Sequence, residues 1–201
     1  QDDAEAVKWV RLAADQGDPH AQVSLGWWYQ NGRSVPHDDV EAVKWYRLAA
    51  AQGDADGQVG LGSMYANGVG VKKDDTEAVK WYRLAAEQGN ADALANLGWM
   101  YQQGEGVPQD DTEAVKWFRL AVEKGNSRAQ NNLGAMYADG TGVPQDDALA
   151  YMWFNLSAAS GVDGAANNRD KIAAKLTPEQ RADAQRMSRM CAESNYKNCG
   201  Y

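Results

Sequence analysis

Five tryptophans, Trp9, Trp45, Trp81, Trp117 and Trp153, stand 36 residues apart. Gly17, Gly53, Gly89, Gly125 and Gly161 keep the same step, as do the Leu-Gly pairs at 25–26, 61–62, 97–98 and 133–134. Tyr29, Tyr65, Tyr101 and Tyr137 follow those pairs in constant register. Several residue types locked to one period point to a stacked array of near-identical units rather than one irregular core. The "QDD" at Gln1–Asp3 stands 108 residues, three periods, before the "QDD" at Gln109–Asp111. The sequence therefore opens inside a repeat, and the expectation is a natural N-terminus, with any targeting signal, further upstream.

Each unit reads as two helices. The first type is "DDTEAVKWYRLAAEQG", Asp74 to Gly89. Asp74 with Glu77 predicts a capping box, repeated at Asp38/Glu41 and Asp110/Glu113, and Gly89 is suited to the left-handed residue that ends the helix. The second type is "ADALANLGWMYQQG", Ala91 to Gly104, whose Ala93, Leu97, Met100 and Tyr101 form an amphipathic stripe. Gly98 and its equivalents sit inside that helix, where glycine costs about 1 kcal/mol relative to alanine, so a close approach of a neighbouring element is expected there. No segment alternates like a strand. Where a fifth Leu-Gly pair is due the chain has Arg169–Asp170, and "AANNRDKIAAKL" and "TPEQRADAQRMSRMCAES" read as two polar helices, the second with Thr177 as N-cap and Pro178 in the first turn. Residues 165–201 are expected to cap a repeat array spanning 1–164.

A net charge of −8 opposes a general nucleic-acid or anionic-membrane surface, and no apolar run approaches the roughly 20 residues of a membrane span. No cofactor motif is present. The "GVGVKKDD", "GEGVPQDD" and "GTGVPQDD" loops lack the spacing of phosphate loops and the alternating ligands of a calcium loop, so helix capping is their expected role. The only histidines, His20 and His37, and two distant cysteines form no recognisable zinc site or nucleophile–base pair. The basic ladder Lys8/Arg11, Lys44/Arg47, Lys80/Arg83 and Lys116/Arg119 follows Glu5, Glu41, Glu77 and Glu113 by three residues at each lysine, which predicts a self-neutralised, solvated face.

The unit "EAVKWYRLAAEQGNADALANLGWMYQQGEGVPQDD" closely resembles the Sel-1-like repeat, a branch of the tetratricopeptide-repeat superfamily. The resemblance runs from Gln1 to about Gly164 and implies an all-α, right-handed α-solenoid of 36-residue helix-turn-helix repeats with a helical C-terminal cap, of bacterial origin. It also implies an adaptor that holds partner proteins. One cysteine-rich bacterial branch carries penicillin-binding or β-lactamase activity, but its cysteine pair in each repeat is missing here, so that activity is not transferred.

The repeats separate the neighbours Trp27 and Trp28. Trp28 shares its register with Met64, Met100 and Met136, always large and apolar, and is expected in the core. Trp27 shares its register with Ser63, Trp99 and Ala135, which no common core would demand. Trp27 belongs to a second stripe, His20, Val23, Ser24, Trp27, Gln30 and Asn31, which the superfamily resemblance places on the concave groove. Equivalent positions hold Asp56, Val59, Gly60, Ser63, Ala66 and Asn67, then Asp92, Ala95, Asn96, Trp99, Gln102 and Gln103, then Arg128, Asn131, Asn132, Ala135, Ala138 and Asp139. Small side chains, amides and two tryptophans suit an extended peptide. Expected partner-binding residues are Trp27, Trp99, His20, Val23, Gln30, Asn31, Asn67, Asn96, Gln102, Asn131 and Asn132. The alternative is that Trp27 and Trp99 fill the elbow between neighbouring helices.

Cys191 and Cys199 lie outside the repeats, eight residues apart. Either they form a disulfide that pins the C-terminal segment, implying a periplasmic or secreted protein, or they are free thiols of a cytoplasmic one. The expected function is a protein or peptide interaction scaffold without catalytic or metal residues. A hydrolase of cell-wall or peptide substrates and a module that self-associates through its repeat ends are the alternatives.

Overall fold

The computed structural model describes residues 2–197 and 199 and, among them, contains eleven helices and no strand. Two compact units divide the chain, residues 1–93 with 105–107 and residues 94–104 with 108–201.

The first unit holds α1 (Asp2–Asp15), α2 (Pro19–Asn31), α3 (Asp39–Ala51), α4 (Ala55–Asn67), α5 (Asp75–Glu87) and the start of α6 (Ala91–Gln103). Successive helices pack on one another, burying Ala42, Val43, Tyr46, Ala50, Leu61 and Met64 in one cluster and Ala14, Leu25 and Trp45 in another. The aspartates expected as caps do cap: Asp38 and Asp74 accept from the backbone N–H of Glu41 and Glu77 at 3.0 and 2.9 Å. Those two glutamates close no box, however. They turn outward to Lys44 and Lys80 at 2.6 and 2.8 Å, because an adjacent ammonium competes for the carboxylate. The resulting ion pair raises both lysine pKa values, first through the hydrogen bond and then through the charge of the glutamate. The arginines of the ladder point elsewhere. Arg11 and Arg47 donate to the hydroxyls of Tyr29 and Tyr65 at 2.8 and 3.3 Å, tying first-type to second-type helices.

The interior glycines of the Leu-Gly pairs make room for an aromatic ring. A Cβ on Gly26 would lie 2.8 Å from the ring of Tyr46, and one on Gly62 would lie 2.8 Å from Tyr82. Real Cβ atoms do not approach so closely, so the periodic glycine and the aromatic residue 20 positions later specify each other.

The second unit holds the rest of α6, α7 (Asp111–Glu123), α8 (Ser127–Asp139), α9 (Asp147–Ala159), α10 (Ala165–Ala173) and α11 (Pro178–Glu193). The same rule holds, with Phe118 against Gly98 and Phe154 against Gly134, each 2.7 Å from an added Cβ. Asp110 caps α7 at Glu113, whose side chain pairs with Lys116 at 2.7 Å, and Arg119 donates to Tyr137 at 2.8 Å. Both α10 and α11 pack on α9, and Trp153, the last of the periodic tryptophans, is fully buried. Thr177 and Gln180 complete a reciprocal capping box at the start of α11, with Pro178 at its first turn. Cys191 and Cys199 are buried and joined by a disulfide with an S–S distance of 2.00 Å. Among the described residues no helix is long and apolar enough to cross a membrane, and no three His, Cys, Asp or Glu side chains converge as a metal site.

Candidate functional site

In the first unit, α2 and α4 lie side by side and leave a solvent-open cavity of about 400 Å³ between their outer faces. It is lined by Val23, Ser24, Trp27 and Trp28 from α2, Tyr46 from α3, Asp56, Val59 and Gly60 from α4, and Asp92 from α6. Seven of these nine, all but Trp28 and Tyr46, belong to the stripe read from the repeats. In the wall of the cavity Gly60 packs directly on Tyr46, and a Cβ there would stand 2.5 Å from its ring. Trp27 is 41% exposed and stands on the wall of this cavity. The guanidinium of Arg33 lies over its ring, 5.5 Å from the centroid.

Trp28 takes a double role that its methionine counterparts do not. Met64 is fully buried, whereas Trp28 is half-buried, packing against the Ala14–Leu25–Trp45 cluster and also lining the cavity. An indole is larger than a thioether chain, so one residue can serve both surfaces.

Several amides expected to meet a ligand are engaged within the protein. Gln30 accepts from the hydroxyl of Tyr46 at 2.9 Å. Asn31 and Asn67 donate to the carbonyls of Trp27 and Ser63, each at 2.8 Å and four residues back on its own helix. His20 is exposed and pairs with Asp54 at 3.3 Å. In the second unit Trp99 is 42% exposed, Asn96, Gln102 and Asn132 are half-buried, and Asn131 accepts from Asn168 of α10 at 3.3 Å. Cavity and amide bonding thus overlap little: Val23 and Trp27 line the cavity, while Gln30, Asn31 and Asn67 stiffen the frame around it.

The chemistry of the cavity comes from Asp56 and Asp92, on the stripe but not among the expected binding residues, and from Tyr46 and Asn90, which sequence reasoning did not single out. Burial holds the Tyr46 phenol neutral, its pKa pushed up to about 12. Asp56 is fixed by Asn90, whose Nδ2 donates to its Oδ1 at 2.8 Å. The same Asn90 accepts, through Oδ1, from the backbone N–H groups of Asp92 and Ala93 at 3.0 and 3.1 Å. One side chain therefore caps α6 and holds the Asp56 carboxylate beside the aromatic wall. The signal was present in the repeat register, where Asn90 replaces Asp18 and Asp54, but only the coordinates show which stripe residue each cap touches.

Comparison with known proteins gives the family and the fold. The Sel1 repeat matches the chain at residues 1–18, 19–54, 55–90, 91–126 and 127–162. A protective antigen of uropathogenic Escherichia coli that displays an SLR fold is 36% identical, with a TM-score of 0.79 over 99% of this chain; this chain spans 46% of that protein's length. A Sel1 repeat protein from Oxalobacter formigenes is 37% identical over 94% of this chain and 80% of its own, also with a TM-score of 0.79. Helicobacter pylori cysteine rich protein B is 26% identical over 64% of this chain and 92% of its own, with a TM-score of 0.51. No curated protein matches the sequence. The fold is the all-helical solenoid of these neighbours, built on repeats of about 36 residues. Sel1 repeat proteins are generally protein-interaction scaffolds, and typically not enzymes. With the repeat recognised in five consecutive segments and the tryptophan, glycine and tyrosine registers accounted for by packing, the chain belongs to the Sel1 repeat family.

Proposed function

We propose that this protein is an interaction module whose α2/α4 face takes an extended segment of a partner protein, anchored by one side chain in the Trp27 cavity. The observation that carries this is the cavity itself: a concave site with an exposed indole, two further aromatic rings and a few polar groups, on a frame already rigid in its own hydrogen bonds. Rigid aromatic anchors lose little conformational freedom on binding, which favours capture of a flexible chain. Trp99, exposed in the same register in the second unit, is assigned as a separate anchor. A displayed library of extended peptides tests this. Binders selected on the wild type should be lost with W27A, while the thermal midpoint of the variant stays within a few degrees. Unchanged binding by W27A would refute the anchor role.

The Cys191–Cys199 disulfide supports a periplasmic or secreted location as part of the same proposal. Intact mass of protein from its native compartment, before and after reduction, should differ by two hydrogens; equal masses would reverse the assignment.

A further inference from the structure

We infer that the Trp27 cavity selects a cationic side chain, an arginine guanidinium, from the partner segment. This rests on the peptide-anchor reading and adds the chemistry of the residue that enters.

Consider what the walls offer. The charged side chains lining the cavity are two carboxylates, Asp56 and Asp92, with no basic residue among the lining groups. The Tyr46 hydroxyl already donates to Gln30, and Ser24 donates to the carbonyl of His20 at 2.9 Å, so both hydroxyl protons are committed. What remains is rich in acceptors and aromatic faces, which is the complement of a planar group with several N–H donors. Val23 and Val59 supply apolar flanks along which an arginine stem can lie. The Trp27 indole already accommodates one guanidinium, that of Arg33, over its ring at 5.5 Å from the centroid.

The repeats act as an internal control. The register position of Asp56 and Asp92 holds His20 in the preceding unit and Arg128 in the following one, so two successive acids are not a demand of the fold. They occur where the cavity is. Asn90 supports the same conclusion: an aspartate in its place, as at Asp18 and Asp54, would cap the helix equally well but would set a third carboxylate against Asp56. The asparagine donates instead and keeps Asp56 in position. Arginine is preferred over lysine because a flat guanidinium can stack on an indole and still present a fork of donors to a carboxylate at its edge.

The test is a titration of the intact chain, ¹⁵N-labelled, with three acetylated and amidated alanine-based pentapeptides, followed through the indole N–H resonances of Trp27 and Trp28. One peptide carries a single central arginine, one carries citrulline, its uncharged near-isostere, and one carries leucine. Arginine should bind about tenfold tighter than citrulline or leucine, and 0.5 M NaCl should narrow the gap. D56N/D92N, which keeps the bond from Asn90, should bring arginine down to the citrulline level with the helical circular dichroism spectrum retained. Equal binding of arginine and citrulline, or an undiminished preference in D56N/D92N, would overturn the charge assignment. Tighter binding of leucine at the same resonances would overturn it too, while leaving the peptide-anchor function standing. No response of Trp27 to any of the three peptides would overturn both.

Discussion

The repeats contain one interaction that is made twice and then broken. Gln52 donates to the buried Gln22 at 2.8 Å, and Gln88 donates to Gln58 at 2.9 Å, each across one helix–helix contact. The next buried glutamine is Gln130, only 1% exposed, and neither its Oε1 nor its Nε2 has a hydrogen-bond partner among the described residues. The residue due to bond it is Ser160, which is too short and donates instead to the carbonyl of Leu156. Its backbone, at φ −87° and ψ 4°, nevertheless matches Gln52 at −85° and 0° and Gln88 at −84° and −2°. Ser160→Gln should therefore restore the missing bond without moving the chain.

A net hydrogen bond contributes about 0.5–1.5 kcal/mol, and an orphaned buried amide costs about 1–3 kcal/mol. Ordering the new glutamine offsets up to roughly 2 kcal/mol of this. The expected gain is about 1 kcal/mol, read as slower native-state hydrogen exchange across α8 and α9 and a later urea transition. Gln130→Leu should give a comparable gain by the opposite route, since Leu94 occupies the same register and is buried there. The two changes must not add, because together they leave the new glutamine at 160 facing leucine. Loss of stability in S160Q, or additive gains in the double variant, would refute the pairing.

Two further outcomes follow from the same frame. Tyr46 and Tyr82 are buried with their phenol pKa values pushed up to about 12 by desolvation, whereas Phe118 and Phe154 hold the equivalent places in the second unit. A phenol in the unfolded chain ionises near pH 10, so the first unit should keep its full stability below pH 10 and lose it as pH rises toward 12. Circular dichroism of Y46F/Y82F should show that alkaline loss diminished, and an identical alkaline midpoint would contradict the assignment. Ser34 has a left-handed backbone, φ 62°, where the repeats otherwise place Gly70, Gly106 and Gly142 at φ 67–69°. Ser34→Gly should stabilise the first unit by about 0.5–1 kcal/mol, the relief of strain less the greater freedom of glycine when unfolded, and chemical denaturation measures it.

The sequence made the architecture legible because each register was repeated, and a repeated residue averages out local accident. Gly98 could be read as a close-approach site from its recurrence alone, and Phe118 turned out to be what approaches. The aspartate caps and the lysine–glutamate pairs were legible for the same reason. Arg47 was not: a long side chain on an amphipathic helix can snorkel to water or bond Tyr65, and periodicity does not distinguish the two. Nor did an amide-rich stripe reveal that Asn31 and Asn67 bond back to their own helices, a local competition decided by rotamer. The methionine equivalents of Trp28 predict a core residue, but its size lets it line the cavity as well. Asn90, the Asp56 it bonds and Asp92 lay in plain view in the repeat columns, yet their meaning depended on which helices bring them together.

The central claim is that a partner segment seats in the Trp27 cavity. Chemical-shift mapping of the intact chain with a peptide selected on the wild type tests it most directly. The largest perturbations should fall on Val23, Ser24, Trp27, Trp28, Val59 and Gly60, and should vanish in W27A. Perturbations centred on α1 around Trp9, or on the 68–74 loop, with Trp27 and Gly60 unmoved, would contradict it.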